Sequence, residues 1–211
     1  DTMITASNDL DEVTILNLKA QGAKIDMWGV GTKLITAYDQ PALGAVYKMV
    51  SIEDDNGRMA DTIKISGNPE KVTTPGMKNV YRIINRETKK SEGDYITLDG
   101  ENPQEEKILT MFHPVHTFIC KEVTDFDAVP LHETIFENGE LKYKTPELTD
   151  IQKFAHDNLS LLWDEYKRFL NPEKYPVDLS PKCWENKRVL IQEVQDQVRR
   201  NREIVKNWEN E

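Results

Sequence analysis

Residues 3–32, MITASNDLDEVTILNLKAQGAKIDMWGVGT, decide how this chain begins to fold. Met3 to Ala6 reads as a short buried strand feeding a turn. Asp9, with Glu12 three positions on, has the arrangement of a helix-opening capping box. Leu10, Val13, Leu16 or Asn17, and Ala20 recur every three or four positions, so one face of that helix is mostly apolar. Gly22 then suits a left-handed cap. Ile25 to Trp28 is a second strand, and Gly29-Val30-Gly31-Thr32 follows it. Strand, helix, strand at this spacing implies two parallel strands joined by a crossover. Ligands of such units sit outside the carboxyl ends of the strands. The loops Ser7-Asn8-Asp9 and Gly29-Val30-Gly31-Thr32 leave those ends on one rim.

Beyond the glycine loop, Lys33 to Tyr38 reads as a short helix broken by Pro41, and Leu43 to Ile52 as a third strand. From about residue 54 the pattern changes. EDDNGR is a turn, and TIKISG, KVTTPG, NVYRII and DYITLDG are short strands set off by Gly, Pro and charge. NRETKKSEGD is a hairpin or exposed loop, and the β-rich character lasts to about residue 145. Two helices close the chain. Thr149 with Gln152 opens the first, whose stripe runs through Ile151, Phe154, Ala155, Leu159, Leu162, Tyr166 and Phe169 to a stop at Asn171-Pro172. Ser180-Pro181 opens the second, supported by Val189, Leu190, Val194 and Val198 to about residue 205.

The 211 residues carry a formal net charge of −10, with 38% hydrophobic and 30% charged residues. That composition is globular rather than disordered, and its acidity argues against a nucleic-acid-coating role. Cys120 and Cys183 are too few for a disulfide framework, which favours a reducing cytoplasm. No apolar run reaches membrane-spanning length. The sequence opens without an initiator Met and in strand-like residues, which reads as the C-terminal part of something longer.

Several residues invite a chemical reading. A glycine loop between a strand and a helix start can present free N–H groups to an anion, with the Thr32 hydroxyl as a further donor. A plain turn is the rival reading, and helix capping is the rival for Ser7-Asn8-Asp9. His113, His116 and Cys120 suggest a metal, but a Pro separates the histidines and no fourth ligand is evident, so structural histidines are preferred and no metal is assigned. Lys48, Lys64, Lys71 and Lys78 are either solvated charge or, for Lys48 in particular, a contact for diphosphate. No nucleophile–base–orienter triad and no Walker-type loop stands out.

TASNDLDE, IDMWGVGTKLITAYDQPALGAVYK, KISGNPEKVTTPGMKNVYR and, at 178–188, DLSPKCWENKR together resemble the C-terminal part of bacterial nicotinate phosphoribosyltransferases. The resemblance implies joining of nicotinate to 5-phosphoribosyl-1-diphosphate, giving nicotinate mononucleotide and diphosphate in NAD biosynthesis. It also implies ATP coupling through a phosphohistidine, which places the enzyme among ligases and phosphoproteins, and Mg2+ with its ligands mostly upstream. The implied fold is α/β. Residues 1–70 would be the last βα units of an irregular TIM-like (type II phosphoribosyltransferase) barrel, and 71–211 a C-terminal region, β-rich and then helical. A homodimer without nucleic-acid or membrane partners is implied as well. Ser7, Asn8, Asp9, Gly29, Val30, Gly31 and Thr32 match the loops that hold the ribosyl phosphate. The phosphohistidine, the Asp-Ser-Gly-Asp segment and the base-stacking aromatic would lie upstream of residue 1, so catalytic residues are unassigned and the chain alone is expected to be inactive. The alternatives are a related enzyme using nicotinamide or quinolinate, or a non-catalytic phosphate-binding or scaffold module.

Overall fold

The computed structural model describes residues 2–116 and 118–208, and the chain divides into two compact units, residues 1–47 and 48–211. In the first unit, β1 (Thr5–Ser7) pairs in parallel with β2 (Met27–Gly29), and α1 (Glu12–Ala20) connects them. The strand entries are clasped, because Asp26 Oδ2 accepts from Ile4 N at 2.8 Å while Asp26 N donates to Ile4 O at 2.9 Å.

The cap of α1 is Asp11, not Asp9. Asn8 and Asp9 have φ of 83° and 48°. An N-cap needs extended backbone, which Asp11 has at φ −136°, and its side chain accepts from Thr14 N. At the other end Gly22, at φ 81°, lets its own N–H reach Lys19 O and Ala23 N–H reach Leu18 O, the paired bonds of a Schellman stop. Met3 and Ile4 are exposed, so the first strand is not the buried one expected. The helix after the glycine loop, α2, covers only Thr32–Ile35, and Ala37 turns left-handed behind it.

The second unit corrects the third-strand reading. Residues 43–50 are irregular and, up to Met49, exposed, and only β3 (Ser51–Glu53) forms, as a hairpin with β4 (Met59–Asp61). Among the described residues, 43–49 find no strand partner, so their amides are left to solvent. TIKISG and KVTTPG are not strands either. They lie beside one another through Lys64 N to Thr73 Oγ1 (2.7 Å) and Thr73 N to Lys64 O (3.2 Å), around an Asn68-capped 3-10 turn, Pro69–Lys71.

The core belongs to one six-stranded sheet. Its strands are β5 (Lys78–Asn85), β6 (Ser91–Leu98), β7 (Ile108–Phe112), β8 (Cys120–Thr124), β9 (Phe126–Pro130) and, from far along the chain, β12 (Val177–Leu179). Between β9 and β12 come a small hairpin, β10 (Phe136–Glu137) with β11 (Glu140–Leu141), and the helices α3 (Leu148–Leu161) and α4 (Asp164–Lys167). The spatial order is β8-β7-β12-β6-β5-β9. Its two edge strands, β8 and β9, are separated in sequence by Asp125 alone. Laid flat, five inter-strand steps would hold those edges roughly 24 Å apart, whereas a one-residue link spans about 7 Å. The sheet therefore curls until its edges meet. Ile83, Tyr95, Leu109, Met111, Val123 and Phe126 fill the inside as one cluster.

Alternation explains how the sequence achieves this: Ser91, Gly93, Tyr95 and Thr97 are buried and their neighbours are not. The last helix, α5 (Pro181–Trp208), begins at the expected Ser180-Pro181 and packs on β6, β7 and β12. The long stripe ending at Phe169 is in fact two helices. α3 stops at Leu161 without a glycine or proline, and it opens after Glu147 rather than on Thr149. Lys90 Nζ, reaching from the sheet, donates to Ser160 O at 2.6 Å and closes that end.

Candidate phosphate-binding loops

Parallel pairing sets Ser7 opposite Gly29, so the Ser7-Asn8-Asp9 and Gly29-Val30-Gly31-Thr32 loops leave adjacent strand ends side by side. The approach is close: a Cβ on Gly29 would lie 3.2 Å from Ser7 Cβ, so a side chain there would push the strands apart. Gly31 is different. A Cβ there would meet nothing within 4 Å, so its smallness is not required by this unit's own packing. Two successive left-handed residues without glycine, Asn8 and Asp9, are uncommon and mark a loop held in a particular shape.

The chemistry on offer is backbone chemistry. The parallel register directs the Asn8 N–H to Gly29 O, whereas the N–H groups of Asp9, Val30 and Gly31 find no backbone acceptor among the described residues. All but Val30 are on exposed residues. Thr32 opens α2, so its amide and hydroxyl extend the same row. Four N–H groups and a hydroxyl on one rim suit a compact, multiply charged oxyanion.

Two side chains that sequence reading passed over hold the loops together. Lys33 Nζ meets Asp11 Oδ2 at 2.7 Å, tying the start of α2 to the cap of α1. Lys33 and Thr14 together hold the Asp11 carboxyl well below the usual carboxylate range, and Asp11 raises Lys33. Lys33 is thus already neutralised. The cleft beside it, about 560 Å³, is lined by Asp11, Glu12 and Asp39 among others. Its carboxylates make it a poor place for phosphate, unlike the rim above β1 and β2.

The remaining candidates fall in the second unit. Lys48 lies in the exposed irregular stretch rather than a buried strand, and its Nζ donates to Lys71 O at 3.1 Å. Lys78 turns inward to the carbonyls of Thr74 and Gly76, and burial lowers its pKa, so it is a loop fastener. His113 Nδ1 accepts from Val115 N (3.1 Å) and His116 N (2.9 Å), which makes it a turn cap. Cys120 is exposed, and both cysteines are free. Among the described residues no group of three or more His, Cys, Asp or Glu side chains could hold a metal ion, and no helix is long and apolar enough to cross a membrane.

Known proteins share both the sequence and the fold. A family model described as the nicotinate phosphoribosyltransferase C-terminal domain matches residues 77–187, the span from the start of the curled sheet to the buried turns of α5. Nicotinate phosphoribosyltransferase of Bacillus subtilis (strain 168) is 66% identical over 198 residues, covering 94% of this chain and 40% of the relative. That of Dictyostelium discoideum is 36% identical over 190 residues, covering 86% of this chain and 31% of the relative. The chain thus spans less than half the length of these relatives. The crystal structure of human nicotinic acid phosphoribosyltransferase superposes with a TM-score of 0.65 over 92% of this chain and 33% of that one, at 22% identity, and so shares the mixed α/β fold. With more than half of its residues inside the family's C-terminal domain, this chain belongs to the nicotinate phosphoribosyltransferase family.

Proposed function

We propose that the chain is the part of a nicotinate phosphoribosyltransferase that anchors the 5′-phosphate of 5-phosphoribosyl-1-diphosphate. In the reaction the nicotinate ring nitrogen bonds to ribose C1 while the C1–oxygen bond breaks, and diphosphate leaves with the electron pair. The observation that carries the reading is the row of unpaired amides on two adjacent loops, at Asp9 and at Val30-Gly31. Gripping the phosphate, which does not react, fixes C1 relative to the attacking base and spends binding energy on orientation. Neutral amides suit that task, since they hold the anion without competing for the departing diphosphate.

In this reading β1, α1, β2 and α2 are closing units of an irregular TIM-like barrel, whose carboxyl rim is where phosphate sites form. Lys48, exposed and donating to a single carbonyl, supplies a cation for the diphosphate. Mg2+, which the family implies with its ligands mostly upstream, would screen the charge of the departing diphosphate. ATP coupling, a homodimer and a cytoplasmic location rest on the family, and the 211-residue chain by itself turns over no nicotinate.

The test is an amide-resolved NMR titration of the chain with ribose 5-phosphate and, separately, ribose. Shifts centred on residues 7–9 and 29–32 that need the phosphate support the assignment. Equal shifts with ribose, or shifts centred elsewhere, overturn it.

A further inference from the structure

Two segments of the second unit that carry the family resemblance, GNPEKVTTPG and DLSPKCWENKR, meet beside α5. Pro69 and Val72 from the first, Pro114 from the loop after β7, and Trp184, Lys187 and Ile191 from α5 line a half-open cavity of about 220 Å³. At about 30 Å³ per water, that is room for roughly seven waters or one small ring compound.

The walls are mostly apolar, Arg188 and Gln192 aside, yet they include an under-compensated cation. Lys187 is 8% exposed and donates to Pro114 O at 3.0 Å. An ammonium has three donors. Among the described residues no carboxylate lines the cavity, and the neighbouring Arg188 is already paired with Glu185 at 2.6 Å. Burial pulls Lys187 below the ordinary lysine range, which a bound anion would reverse. Trp184 adds a second such group. Its ring stacks on Phe112 at 4.8 Å, while its buried Nε1–H has no acceptor among the described residues. Buried donors left unsatisfied are costly and few. Trp184 and Lys187 are three apart on α5, so they share a helix face, and both line the cavity.

We propose that this cavity binds a small aromatic carboxylate, with its carboxylate on Lys187 Nζ and its ring between Pro69, Val72 and Ile191. The site is independent of the phosphate-loop reading, because none of its residues belongs to those loops.

The probe is benzoate, which has the carboxylate and the flat ring but no ring nitrogen able to form a nucleotide. Calorimetry and ligand-observed NMR on the 211-residue chain should give saturable binding, with a Kd on the order of 1 mM for so small a ligand. Benzamide, its neutral counterpart, should bind about tenfold more weakly or worse. Lys187→Met keeps the aliphatic stem, removes the charge, and should weaken benzoate by a similar factor. Ile191→Trp fills the cavity, leaves Lys187 in place, and should abolish binding. It decides the matter if the Lys187 variant does not fold. Absence of saturable benzoate binding, equal affinity for benzamide, or full affinity in Ile191→Trp would overturn the proposal.

Discussion

Gly29 and Gly31 stand two residues apart and carry different constraints. A side chain at Gly31 would enter open space, so Gly31→Glu meets no clash within its own unit. It should nevertheless weaken ribose 5-phosphate by on the order of hundredfold, because its carboxylate repels the phosphate and one or two charge-assisted bonds, at roughly 1.5–3 kcal/mol each, are lost. Thr32→Val, which removes one hydroxyl and leaves the amides, should be milder. Gly29→Val should behave oppositely, lowering the melting temperature through its clash with Ser7. Full phosphate affinity in a folded Gly31→Glu variant would reduce the loop to an ordinary turn. The Asp11–Lys33 pair adds a pH signature. Asp11 is depressed in the folded state, so its contribution is present above the ordinary carboxylate range and fades only as pH falls below it. Lys33 is raised, so its share is complete below the ordinary lysine pKa and disappears as pH climbs past the folded value. Asp11→Ala should therefore cost α1 amide protection at neutral pH and little in strong acid. Asp11→Asn, which retains the capping oxygen, should cost less. The loops themselves were readable from sequence, because two strands separated by one helix can leave them only on one rim. The pair was not, since choosing Asp11 over Asp9 as the cap depends on the backbone turn at Asn8.

At the scale of elements, α5 shows a helix whose start sequence and tertiary structure agree upon. Ser180 is 1% exposed, its Oγ accepts from Cys183 N at 3.1 Å, and it donates to Glu101 Oε2 at 2.7 Å. That carboxylate also receives Leu98 N, so cap, helix and β6 are one junction. Ser180→Ala should cost about 1–2 kcal/mol, read as a lower urea midpoint with faster exchange in the first turn of α5. An unchanged midpoint would mean that solvent replaces the cap. β5, α5 and the second half of β6 were legible because their local chemistry favours the same outcome, whereas Ser91 and Gly93, expected in a hairpin or exposed loop, are buried in the strand. Three elements were not. Residues 43–50 have the composition of a strand without a partner. β12 is three residues long with a charge at its centre, and it joins the sheet only because β6 offers an edge. At the break after Leu161 the Ser160 carbonyl is taken up by Lys90, distant in sequence, while the apolar stripe runs on through it.

The two units differ in how completely they close. The curled sheet has no wide gap between its edge strands, and its interior is filled by side chains from β5 through β9. The first unit has a two-stranded parallel sheet and one buried hydrophobic residue, Leu10, against exposed Leu34 (71%), Ile35 (87%), Leu43 (95%) and Tyr47 (99%). At about 25 cal/mol per Å² of apolar surface removed from water, a unit that covers so little of its own has little to set against chain entropy. Two isolated strands are themselves marginal. Residues 48–211 alone should therefore keep a cooperative thermal transition, while 1–47 alone should show none. In the whole chain, amide exchange should be slowest at Ile83, Tyr95, Leu109 and Met111 and fast across β1 and β2. Phosphate binding should slow exchange in the first unit only, because the ligand's amides lie there and binding stabilises the state that binds. Comparable protection of both units without ligand would show that the first is held by contacts beyond its own packing.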